Sequence, residues 1–394
     1  MQSPRESALG RLWAFLDNNS LLLIIGACAG LLWANVSLST YAHVTHLLHF
    51  AVNDVGMVFF FAVAAKEVVE ATLPDGPLAS PRRAALPVWA AVGGMAGPAM
   101  LYIALASWAD EPAMVRGWAI PCATDIAFSY LVARFIFGSE HAAIPFLLLL
   151  AIADDALGLA ILAIVYPTGT ARLGEFAAIL GCALAIAWFL KRRPVMNFWP
   201  YVLIAGTLSW VAFLRGGLHP ALALVPIIPF IPHAERDLGW MAIQERTRTD
   251  PLNRFEHWWH APVQVILFFF GLVNAGVPMT SIGVGSWMVL ASLLGGKPLG
   301  ILLFTGSAAL AGLHRPSGVT WRDMVVVGVA AAIGFTVSLF FATAAFPNGR
   351  FLSETKMGAL LSFSAAGLAV VVARALKVGR FGSGQTPSAI LPGV

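Results

Sequence analysis

The feature that most constrains this chain is the recurrence of apolar runs as long as a lipid bilayer is thick. A membrane-crossing helix needs about 20 apolar residues, and about twelve such runs follow one another here. They lie at 17–35, 52–71, 85–107, 117–137, 142–166, 175–190, 198–214, 217–231, 259–277, 285–308, 323–346 and 357–376, and the eighth is short and proline-rich. Only 11% of the 394 residues are charged and 59% are hydrophobic, whereas a soluble domain carries about 25% charged residues. Such a chain cannot cover a water-facing surface. The expected fold class is all-α, a polytopic membrane protein of about twelve transmembrane helices. Residues 1–376 read as one transmembrane domain, and 377–394 as a flexible cytoplasmic tail.

The basic residues orient these runs. With the N-terminus inside, Arg116, Arg172, Arg215, Arg350 and Lys356 fall in outer loops and Lys66 and Lys297 within spans. The rest of the 24 Lys and Arg fall on the inner side, as the positive-inside rule requires. Both termini are therefore expected in the cytoplasm. The net charge of +4 reflects this topology, and no nucleic-acid partner is expected. The segment 232–258, "PHAERDLGWMAIQERTRTDPLNRFEHW", reads as a cytoplasmic linker. Cys28, Cys122 and Cys182 lie in apolar runs and read as small core residues. "LLLIIGACAG" at 21–30 has the look of a signal-peptide core, but the run continues to Trp33, and only the uncleaved chain gives twelve spans with both ends inside.

Few ionisable residues lie within the runs, among them Asp54, Lys66, Glu67, Glu70, Asp125, Asp154, Asp155 and Lys297. At about 1.5 Å per residue, Asp125 lies about 12 Å from the outer end of its run. Asp154 and Lys297 each lie about 18 Å into theirs, so all three sit near the midplane. A charge there costs about 2.5–3.5 kcal/mol even on the lenient insertion scale. One lysine satisfies one aspartate, and adjacent helical residues point about 100° apart. If one of Asp154 and Asp155 faces Lys297, the other needs a proton, a cation or water. Asp54, Lys66 and Glu70 lie nearer span ends, where pairing or snorkelling accounts for them equally well.

Pro121 in "PCATDIAF" lacks an N–H and disfavours a continuous helix. Gly334 and Thr336 in "AAIGFTVS" mark a second interruption, although Gly and Thr are also common helix-packing residues. The two runs point in opposite directions under the topology above. That is the pattern of inverted-topology repeats, placed at about 85–166 and 285–376, with two discontinuous crossing helices. Broken helices leave free N–H and C=O groups at mid-membrane. Asp125 can offset the positive ends and Lys297 the negative ones.

"WAIPCATDIAFSYLV", "LLLLAIADDALG", "LLGGKPLGI", "GLVNAGV", "VVGVAAAIGFTVSLF" and "RGGLHPALA" closely resemble segments of bacterial NhaA-type sodium/proton antiporters. The matches run in order from about residue 52 to 345. Inverted repeats with broken helices belong to that family, so the resemblance and the symmetry are not independent. The resemblance implies a secondary Na⁺(Li⁺)/H⁺ antiporter of the bacterial inner membrane, electrogenic and pH-regulated, that is not an enzyme and needs no cofactor. It implies Asp155 with Asp154 as the cation- and proton-binding core that holds the transported Na⁺. Lys297 would pair with Asp154, and Thr124 and Asp125 would belong to the unwound stretch beside them. Asp54 would lie toward the periplasmic exit, with Glu67, Glu256 and His219 at positions linked to pH response. The partners implied are Na⁺, Li⁺, H⁺, the lipid bilayer and a second copy in a homodimer.

There are departures. The family often reads "GLEVKRE" where this chain has "AAKEVVE", so a basic position becomes Glu70 and Lys66 is new. A β-hairpin that joins dimer partners in some members is replaced by "VSLSTYAHVTHLLHFAV". Its His43, His46 and His49, spaced i, i+3, read as an amphipathic interfacial segment or a metal site. Other functions remain: a sodium-coupled symporter of similar fold or a passive channel. An intramembrane aspartyl protease is disfavoured, because its Gly-x-Gly-Asp signature is missing.

Overall fold

A computed structural model describes residues 21–74, 76–169, 172–193, 195–233 and 250–382. Residues 17–20 of the first run, the centre of the expected linker, the end of the expected tail and both termini lie outside the described residues. Those described form helices and connecting turns, with no strand among them.

The helices, in chain order, are α1 (Leu21–Val36), α2 (Leu38–His49), α3 (Met57–Thr72), α4 (Pro81–Trp108), α5 (Ile126–Phe137), α6 (Ala143–Val165), α7 (Leu173–Arg192) and α8 (Thr207–Gly216). They continue with α9 (Pro251–Asn274), α10 (Val284–Ala291), α11 (Lys297–Leu310), α12 (Trp321–Ala331), α13 (Phe335–Ala345), α14 (Arg350–Leu361) and α15 (Ser364–Leu376). Among the described residues six stretches are long and apolar enough to cross a membrane, or up to eight if each of two bent pairs is one span. The other expected runs take different forms. Residues 21–36 and 201–216 are shorter apolar helices. The proline-rich 217–231 folds into short 3₁₀ turns at Pro220–Leu222 and Ile228–Phe230. Residues 259–277 fall largely within α9, whose first half carries the polar residues of "RFEHWWH". The segment with the three histidines is helical, and α2 runs through a wide π turn, Phe50–Gly56, into α3. Gly379–Phe381, in the expected tail, forms a 3₁₀ turn.

The chain falls into two compact units. The first holds residues up to 81, 155–282 and 339–357. Within it α1 packs along α9, and side chains at Gly26 or Gly30 would strike the backbone at Phe268 or Leu272. The second holds 82–154, 283–338 and 358 onward. Within it α4 crosses α11 at glycines: a Cβ on Gly97 or Gly300 would fall on the facing backbone. Small residues let apolar helices approach closely where lipid offers no hydrophobic driving force.

Three local breaks position the polar groups of the second unit. Before α5 the chain makes a 3₁₀ turn, Ile120–Cys122, carrying Pro121, and then runs extended from Ala123 to Asp125. The stretch Pro112–Cys122, which ends in that turn, and α5 meet at a bend of 54°. Between α12 and α13 the chain bends by 49° at Ala332–Gly334. Between α10 and α11 a π turn, Ser292–Gly296, precedes Lys297. Pro298 cannot donate to the carbonyl four residues back, which lies inside that turn, so the ladder widens there.

Candidate functional site

Two of these breaks, those before α5 and before α13, meet at Asp125. Its backbone N–H donates to Ile333 O at 2.7 Å. Its carboxylate caps α5 through Phe128 N at 3.4 Å and accepts from Thr336 N at 3.2 Å. It also accepts from the Thr336 hydroxyl. One carboxylate thus faces the N-terminal ends of two helices, α5 and α13, where free N–H groups and helix dipoles favour negative charge.

Lys297 and Asp154 form the second part. Lys297 is 0% exposed and Asp154 2%. Lys297 Nζ lies 2.7 Å from Asp154 Oδ2 and also donates to Cys122 O, at the end of the 3₁₀ turn. The lysine therefore covers both a carboxylate and a helix-end carbonyl. Thr124 Oγ1 donates to the same Asp154 Oδ2 at 2.7 Å and stands 3.2 Å from Ala331 O. Asp154 Oδ1 is buried and has no hydrogen-bond partner among the described residues. Breaking a buried ion pair by removing one partner costs about 3–5 kcal/mol, because the other charge is left uncompensated.

Asp155 follows in α6, half-buried, about 100° round the helix from Asp154. The division between the compact units falls between the two aspartates. Pro121 lies in the first break and Gly334 in the second, where a Cβ would strike Ser338 Oγ.

The remaining expected residues belong to the first unit. Lys66, 1% exposed, bridges Glu70 and Glu256, with Glu256 Oε2 at 2.6 Å. Glu67 is half-buried beside them in sequence. Asp54 lies in the π turn that joins α2 to α3, and its carbonyl accepts from Trp210 Nε1 at 2.9 Å. Next to it Asn53 and Asn274, both buried, exchange amide hydrogen bonds at 3.3 and 2.8 Å. His219 is buried and caps the turn at Pro220, accepting from Ala221 N at 3.4 Å, with its ring centroid 4.7 Å from that of Phe340. Among the described residues no group of three or more His, Cys, Asp or Glu could hold a resident metal ion, so His43, His46 and His49 form no such group. Cys28, Cys122 and Cys182 are free thiols.

Several partners escaped the sequence reading. Ser129 Oγ donates to Ala330 O at 2.9 Å, and Ser338 Oγ to Ile120 O at 2.7 Å. Ser362 Oγ accepts from Gly334 N at 3.3 Å. The signal for the first two was present as a serine four residues after Asp125 and another four after Gly334. Serine in an apolar helix ordinarily bonds its own backbone, so neither stands out without the fold.

The family model described as "Na+/H+ antiporter 1" matches residues 15–373. A Na(+)/H(+) antiporter NhaA of Jannaschia sp. (strain CCS1) is 45% identical, over 93% of this chain and 98% of that protein. One of Geobacter metallireducens is 43% identical, over 92% and 97%. Among solved structures, a sodium proton antiporter from Methanocaldococcus jannaschii at pH 8 covers 93% of this chain and 94% of its own, with a TM-score of 0.54 and 14% identity. At that identity the likeness speaks for the fold alone.

Proposed function

This chain belongs to the Na+/H+ antiporter 1 family, a family of transporters, and from that premise we propose that it exports Na⁺ or Li⁺ across the bacterial inner membrane in exchange for protons. The observation that carries the reading is Asp154: a buried carboxylate with one oxygen held by Lys297 and Thr124 and the other without a partner among the described residues. Asp155 lies one residue on. In this reading the two aspartates hold the transported cation through hard oxygen ligands, with Thr124 and Asp125 alongside. Proton and cation compete, because one carboxylate in a low-dielectric site is neutralised by either but not both. Lys297 balances Asp154 and the helix-end carbonyl.

We read the chain as about twelve spans with inverted repeats and two discontinuous helices, both termini in the cytoplasm, forming one transporter domain that pairs as a homodimer. Asp54, Glu67, Glu256 and His219 then line ion paths or respond to pH. A sodium-coupled symporter is not favoured by the relatives' printed activities. The test is counterflow in proteoliposomes of the purified chain. Na⁺ added outside acid-loaded vesicles should drive protons out without ATP. Proton movement that ignores Na⁺ and Li⁺ would indicate a passive channel and overturn the reading.

A further inference from the structure

Ser129 is the fourth residue of α5 and Ser338 the fourth of α13, the two half-helices that follow the breaks. Both are 0% exposed. Ser129 Oγ donates at 2.9 Å to Ala330 O in the last turn of α12, the half-helix before the other break. Ser338 Oγ donates at 2.7 Å to Ile120 O, in the 3₁₀ turn before the first. The pattern is reciprocal: the second half of each broken helix supplies a hydroxyl to the first half of the other.

Carbonyls at the end of a helix lack the donors that the next turn would bring. From its own helix end Ala330 O receives a long 3.4 Å bond from Ile333 N and the cap N–H of Ala332, besides the serine. Leaving a buried acceptor poorly met is unfavourable, and here each remedy comes from across the crossing. The two bonds flank the contacts that join the breaks: Asp125 N to Ile333 O, Thr336 to the Asp125 carboxylate, and Thr124 Oγ1 to Ala331 O, from a hydroxyl that also meets Asp154. Sliding either half-helix alters all of these together.

We propose that Ser129 and Ser338 are reciprocal positioning residues that hold the register of the two broken helices and through it the affinity of the site for the transported cation. Neither touches the ion. The inference deepens the antiporter reading and rests on it.

The test measures exchange in membrane vesicles. S129A and S338A should each raise the KM for Na⁺ about two- to tenfold, the factor to which the net worth of one hydrogen bond converts, with Vmax per folded protein kept. The double variant should be little worse than the larger single one, because both bonds hold one crossing. S129T keeps the hydroxyl and should keep the wild-type KM. S129V has nearly the volume of threonine without the donor and should raise it, so this pair decides the matter if the alanine variants do not accumulate. An unchanged KM and pH profile in S129A and S338A, or fully additive effects, would overturn the proposal. A wild type without Na⁺-driven proton movement would overturn the transport reading instead. The pair would then be judged by hydrogen exchange at the Asp125 amide, which should quicken in both alanine variants; an unchanged rate overturns it.

Discussion

Lys297 shows how one residue can serve two demands. Its ammonium meets the Asp154 carboxylate and the Cys122 carbonyl from a position with no exposure to solvent. Lys297→Ala leaves both without their cation, and the expected loss is about 3–5 kcal/mol of stability. A melting curve in detergent should move down by many degrees, and an unchanged midpoint would show that the pair contributes nothing. Asp155→Asn tests the neighbouring carboxylate differently. It keeps shape and removes charge, so folding should survive while Na⁺ binding and exchange disappear. Calorimetry on the purified variant checks this, and Na⁺-dependent heat at the wild-type level would remove Asp155 from the site. Lys66 with Glu70 and Glu256 shows that charges also pair away from the crossing.

The elements carry these residues by departing from regular helix. The 3₁₀ turn and extended stretch before α5, the bend before α13 and the π turn before α11 each free or re-aim backbone groups. Irregular backbone at membrane depth persists only where protein satisfies it, and Asp125, Lys297, Ser129 and Ser338 do so here. The crossing of α4 and α11 controls where Lys297 stands, since Gly93 and Gly300 bring the two backbones together one turn away from it. Gly300→Ala should push the helices apart at a cost of about 1–3 kcal/mol from overpacking. The readout is a lowered melting temperature together with a raised KM for Na⁺. A variant as stable as the wild type would mean that the crossing relaxes freely.

At the scale of the molecule, the charge moved per cycle is the testable quantity. Two adjacent aspartates and a lysine offer more than one titratable group per cation, so exchange should be electrogenic. A membrane potential supplies about 2.3 kcal/mol per elementary charge per 100 mV, enough to drive Na⁺ outward as protons enter. On a solid-supported membrane, a Na⁺ step at zero imposed potential should give a current in the wild type. Asp154→Asn should abolish or sharply reduce it. A wild type that exchanges without current would establish one-for-one exchange, and undiminished current in the variant would assign the second proton to Lys297.

Composition and run length by themselves determined an all-helical chain of apolar segments, because a chain with so few charges can satisfy its backbone in lipid only within helices. Charges in those runs were legible one at a time: Asp154, Asp155 and Lys297 each break an apolar pattern. Pro121 likewise announced that a helix could not run through it. Span number was less legible, since 217–231 and 259–277 are apolar in sequence yet fold as 3₁₀ turns and as part of a partly polar helix. Only the tertiary structure decided which polar atoms meet. That Thr124 and Lys297 share one oxygen of Asp154 and leave the other unmet among the described residues depends on three segments converging from distant parts of the chain. That Ser129 and Ser338 bond across the two bends, when each had its own helix's carbonyls in reach, depends on how closely those bends meet. Periodicity records which face of a helix is apolar, and a hydrogen bond between distant segments leaves no period to read.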